Sequence, residues 1–157
     1  MASPRKFTYL QKIQLTRPIL SLTVMRLLLG HIFVKEGTGK LFGWFDHGGL
    51  EITGAYFREV GIPWPEASAV LVGTIESAAG LLLLAGLFTR LAVVPVAVVM
   101  VAAVATVHQA AGYHYPLVIC GGLLILAQSG AGHYSVDGYW ASRTLDAAPY
   151  VKLRDRN

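Results

Sequence analysis

Residues 91–136 read LAVVPVAVVMVAAVATVHQAAGYHYPLVICGGLLILAQSGAGHYSV, and no Asp, Glu, Lys or Arg stands between Arg90 and Asp137. A water-facing surface cannot be assembled from such a run, since an ordinary soluble domain is about 25% charged. The run is long enough for two membrane crossings joined by a tight connection, at about 20 residues per spanning helix. The whole chain agrees: of its 157 residues 54% are hydrophobic and only 14% charged, and the mean hydropathy is positive. That length allows one domain.

Outward from this stretch, further apolar segments lie at Pro18–Val34 and Ala67–Phe88, and the run itself divides into Leu91–Val107 and Tyr115–Gln128. They predict helices over about 18–36, 66–88, 90–108 and 113–130. The fold expected is all-α: an integral membrane four-helix bundle with short interfacial helices, filling 1–157 as a single transmembrane domain. One interfacial helix is predicted over about 50–60, where Leu50, Tyr56, Phe57 and Val60 share a face. A second is predicted over 136–146, with Tyr139 and Trp140 as anchors. Pro95 should kink the third spanning helix, because it removes a backbone donor and crowds the preceding turn.

Basic residues orient the bundle. Arg5, Lys6, Lys12 and Arg17 precede the first span without an acid, Arg90 marks the second connection, and Arg143, Lys152, Arg154 and Arg156 lie in the tail. The first connection, Glu36 to Glu66, holds five acids against Lys40 and Arg58. By the positive-inside rule both termini and the Arg90 turn are cytoplasmic. The net charge of +4 is therefore topological and implies no nucleic-acid partner; the lipid bilayer is the partner it implies. Arg26 interrupts the first apolar segment and no small-x-small site follows, so an uncleaved first helix is expected rather than a signal peptide.

Ionisable residues inside spans are functional candidates by default. Arg26 and Glu76 reach similar calculated depths on antiparallel helices, and both lie on faces of small residues. A buried Arg26–Glu76 ion pair is therefore expected, with either a chemical role or the sole task of holding helix register. A second polar group, His31, Lys35, Glu36, Lys40, His108 and His114, is expected to gather in an outer vestibule as candidate ligand-binding residues. No metal spacing such as HxxH or HExxH occurs. Cys120 is the one cysteine, so this chain alone has no dithiol for thiol redox catalysis, and no nucleotide-binding fingerprint is present.

The run Arg26-Leu-Leu-Leu-Gly30, then Glu36-Gly37-x-x-Lys40-Leu-Phe-Gly43, Glu76 in a Gly-rich helix closing with Gly86-Leu-Phe-Thr89-Arg90, His108, and Gly132-His-Tyr-Ser-Val-Asp137 together resemble the DoxX family of small bacterial membrane proteins. The likeness covers about Pro18 to Asp137, with Glu36-Gly37 standing where many members read His-Gly. It implies a multi-pass protein of a bacterial inner membrane, a four-helix bundle, and association with membrane oxidoreductases that include quinone-reducing thiosulfate oxidation systems. Two functions follow as expectations. One is a membrane subunit of a redox system, with partner subunits or a homo-oligomer, binding a quinone or other apolar ligand near the outer side. The alternative is a non-catalytic anchor or assembly subunit whose polar core only joins the helices.

Overall fold

The computed structural model describes residues 19–46, 48–107, 114–132 and 134–146. Every regular element among them is helical: α1 (Ile19–Phe42), a 3-10 turn (Trp44–Asp46), α2 (Gly49–Glu59), α3 (Pro65–Ala85), α4 (Thr89–Val107), α5 (His114–Ser129) and α6 (Val136–Asp146). Their ends follow local chemistry. Pro65 opens α3, where its missing N–H is no loss and its fixed φ suits the first turn. Gly86 closes α3 at φ +67°, a left-handed conformation that glycine adopts without Cβ strain, and the Leu87 N–H donates back to the Leu82 carbonyl at 3.0 Å. Ser135 caps α6, its Oγ accepting from the Gly138 N–H at 3.0 Å.

α1 differs from its predicted extent. Glycines 37 and 39 and the charges around them read as an exit from the membrane, yet the helix continues to Phe42. Tertiary contact holds these turns helical. Gly37 packs against the α3 backbone at Gly73 and Ser77, and Lys40 pairs with Glu36 one turn earlier at 3.2 Å. Pro95 lies within α4.

The most extensive interface joins α1 to α3. Gly30 and Gly37 on one helix meet Gly80 and Gly73 on the other, so the two run antiparallel with backbones in contact. A Cβ added at Gly30 would lie 3.0 Å from the Gly80 carbonyl oxygen, and one added at Gly80 would lie 2.6 Å from the Val34 nitrogen. Matched small residues let membrane helices approach this closely and gain dispersion where no water remains to be expelled. Leu29 and Phe33 of α1, Ala79 and Leu83 of α3, Val93 and Val96 of α4, and Leu123 and Leu126 of α5 complete the buried core. α2 rests on α1 and α3 through Thr53, Gly54 and Phe57, whereas Leu50 of its predicted apolar face is exposed.

The exterior is the reverse of a soluble protein's. Leu81, Leu91, Val94, Val101, Val118 and Leu124 are exposed while Arg26 and Glu76 are buried. α3 and the stretch Thr89–Thr106 of α4 are long and apolar enough to cross a membrane, and α5 is a shorter apolar helix.

Candidate functional site

Two charged clusters occupy opposite ends of the α1–α3 interface. At the end where α3 turns into α4, Arg26 is 2% exposed. Its Nη1 donates to the carbonyls of Leu83 (2.6 Å) and Leu84 (2.9 Å), and its Nη2 donates to that of Tyr134 (2.8 Å). The first two carbonyls belong to the last turn of α3, where intrahelical donors run out; that of Leu83 also accepts from the Gly86 N–H at 3.1 Å. Beside it, the Asp137 carboxylate accepts from the N–H groups of Phe88 (2.8 Å) and Thr89 (3.0 Å), satisfying the start of α4. The Asp137 N–H donates to the Gly86 carbonyl at 3.0 Å, and Arg90 donates to the Gln128 carbonyl near the end of α5 at 3.1 Å. Three sequence-distant segments, around Arg26, Gly86-Leu-Phe-Thr89 and Ser135-Val-Asp137, are thus one hydrogen-bonded corner. A Cβ on Gly86 would strike both Arg26 and Ser135, which binds that glycine to the corner as well.

At the other end Glu76, also 2% exposed, receives the Lys40 ammonium at 2.7 Å, and Lys40 reaches Glu36 as well at 3.2 Å. This chain of carboxylate, ammonium and carboxylate forms part of the wall of a cavity of about 510 Å³. The remaining wall is largely apolar: Ile32 and Phe33 of α1, Phe57 of α2, Ile75 of α3, and Val99 and Met100 of α4, with the hydroxyl-bearing Tyr56 and Tyr115. A mostly apolar void with a few converging polar groups is the ordinary form of a small-molecule site. The cluster offers both donors and acceptors, with formal charges of one cation between two anions.

The expected Arg26–Glu76 pair does not form. The glycine contacts bring Arg26 level with the last turn of α3, about eight residues or 12 Å along the helix from Glu76 at 1.5 Å per residue. Backbone complementarity set the register, and each charge took the partner it met there. Glu36, expected at the end of the helix, and Lys40, expected beyond it, both stand on its last turns and line the cavity. His31 is exposed on α1 and His114 exposed at the start of α5, and neither lines the cavity. His108 lies outside the described residues. The histidines among the described residues are therefore not the polar wall; Lys40, the two glutamates and two tyrosines are. Tyr56 and Tyr115 were missed as site residues because an aromatic at a helix face or helix start reads as an interfacial anchor. Among the described residues no three His, Cys, Asp or Glu side chains converge as a metal site.

The DoxX family model matches residues 21–109, and a model described as TQO small subunit DoxD matches residues 66–153. An uncharacterized membrane protein of Mycobacterium tuberculosis is 33% identical, the alignment covering 74% of this chain and 79% of that protein. No solved structure matches.

Proposed function

The chain belongs to the DoxX family, and from that premise we propose that it is the quinone-binding membrane subunit of a redox complex. α1, α3, α4 and α5 cross a bacterial inner membrane as a four-helix bundle, with both termini and α6 in the cytoplasm and α2 on the outer face. The likeness to the small subunit of a thiosulfate:quinol oxidoreductase supports the redox setting. The observation that carries the reading is the apolar cavity whose wall holds Glu36, Lys40 and Glu76.

Reduction of a quinone takes up two electrons and two protons, and the protein groups at its head must suit both redox forms. The Lys40 ammonium and a tyrosine hydroxyl are donors for a quinone carbonyl. The glutamates are acceptors for the hydroxyls of the reduced form. Among the described residues lining the void, one cation stands with two anions, which suits a head group neutral in both forms; an anionic head would meet repulsion in a low-dielectric wall. Electrons come from a partner subunit, and Glu36 and Glu76, bridged by Lys40, are the groups that hold and pass protons. Proton transfer by positioned side chains contributes about 10²- to 10⁴-fold to such reactions.

The test is made on membranes carrying the whole complex. Glu76→Gln and Lys40→Met should each lower quinone reduction by about 100-fold or more with the subunit retained, and organic extraction of the purified wild type should yield quinone. Full activity in both variants would leave the anchor function in its place. Cysteines placed near Arg90 and Arg143 should label from the cytoplasm, and one near Gly49 from outside.

A further inference from the structure

The rim of the cavity differs from its wall. Residues that line the void and are also open on the outer surface mark where it emerges. On one side these are Leu71 of α3 and Pro95, Val98 and Ala102 of α4; Leu71 is 61% and Val98 65% exposed. These four are apolar; Tyr115 of α5, 54% exposed, also lines the void and is open on another side. Val98 stands nine residues from either end of α4, about 14 Å at 1.5 Å per residue, and Leu71 lies about 9 Å from the start of α3. In a hydrocarbon layer about 30 Å thick, both belong at acyl-chain depth rather than headgroup depth. The charged cluster lies at a similar level, since Glu76 stands next to the middle residue of α3.

Resting on the reading of the cavity as a quinone site, we propose that it is loaded sideways from the bilayer, through a gap between α3 and α4. Its ligand is a neutral amphiphile whose ring reaches Lys40 and Glu76 while its hydrocarbon tail stays in that gap. The path through this gap is lined by Leu71, Val98 and Ala102 and offers water no partner, so it suits an apolar ligand. A tail in the gap exchanges lipid contact for contact with α3 and α4, so it contributes affinity only while the gap is clear. A bulky side chain there must weaken a tailed ligand and spare a tail-less one.

Full-length protein in lipid nanodiscs is equilibrated with decylubiquinone, which carries a tail, and with duroquinone, which does not; retention is measured against empty nanodiscs. Val98→Trp and Ala102→Trp should each weaken decylubiquinone by about tenfold, equivalent to about 1.4 kcal/mol, and leave duroquinone unchanged. Val101→Trp, on the same helix and exposed but not lining the cavity, should alter neither. Unchanged thermal midpoints confirm that the variants fold; both altered sites are already open to lipid. If Lys40→Met weakens both probes while the two plugs weaken neither, or weaken both equally, the tail does not lie in this gap and the inference fails, although the cavity still binds quinone. If the wild type retains neither probe, the proposed function itself fails and takes this inference with it.

Discussion

Arg26 and Glu76 are equally secluded from solvent, yet the bundle holds them in opposite ways. Arg26 donates to three main-chain carbonyls at helix ends and connections, so its charge completes the backbone bonding of a corner. Glu76 meets the ammonium of Lys40, a flexible side chain in the wall of a void. A charge bonded to the main chain cannot change partner or protonation without opening the corner. One held by side chains beside a cavity can do both while the helices stay in place. Burial alone therefore does not mark a functional charge in a membrane bundle; what surrounds the charge does.

The strongest way to break this contrast is at the corner. Arg26→Met removes the charged donor from the carbonyls of Leu83, Leu84 and Tyr134, each a loss of about 1 to 3 kcal/mol. The variant should be destabilised by about 3 to 5 kcal/mol in all, read as a fall in unfolding free energy in mixed detergent. A loss comparable to that of an exposed-site variant would show that the corner is not structural.

Next in size is the register that keeps the two charges apart. Gly80→Leu drives a side chain into the Val34 backbone, and overpacking of this kind costs about 1 to 3 kcal/mol. The same measurement on Ala78→Leu, at an exposed position of the same helix, should give almost no loss. Equal effects at the two positions would mean that the glycine seam does not set the register.

The smallest effects are the most discriminating. A double-mutant cycle between Lys40 and Glu76 should return a coupling of about 0.5 to 3 kcal/mol, and the cycle between Arg26 and Glu76 should be additive within about 0.5 kcal/mol. Coupling of Arg26 to Glu76 equal to that of Lys40 would restore the single ion pair and erase the distinction between the two ends.

Much of the site was near to legible. Glu36, Lys40 and Glu76 stand out as charges in or beside apolar segments, and pattern alone identified them as candidates. Their grouping was not readable, because the end of α1 reads as residue 36 in the sequence, where glycines and charges imitate a stop. That shift moved Lys40 out of the helix and offered Arg26 as the partner of Glu76. The histidines attract attention for their chemistry, yet His31 and His114 are exposed and do not line the cavity. Side-chain chemistry is a property of the residue, but the direction it faces belongs to the helix.

The sequence by itself determined that the chain is helical and suited to a membrane, since runs such as residues 91–136, continuously apolar rather than alternating as barrel strands do, satisfy their backbone in lipid as helices. It also determined helix starts that local chemistry specifies, at Pro65 and after Ser135, whereas the expected end at 88 overran the Gly86 cap. Tertiary structure alone decided which charges meet. Partner choice depends on the axial offset between α1 and α3, and that offset comes from glycine backbones fitting at Gly30 with Gly80 and Gly37 with Gly73. A slip of two helical turns, about 11 Å, would leave every hydropathy pattern unchanged while bringing Arg26 nearly level with Glu76.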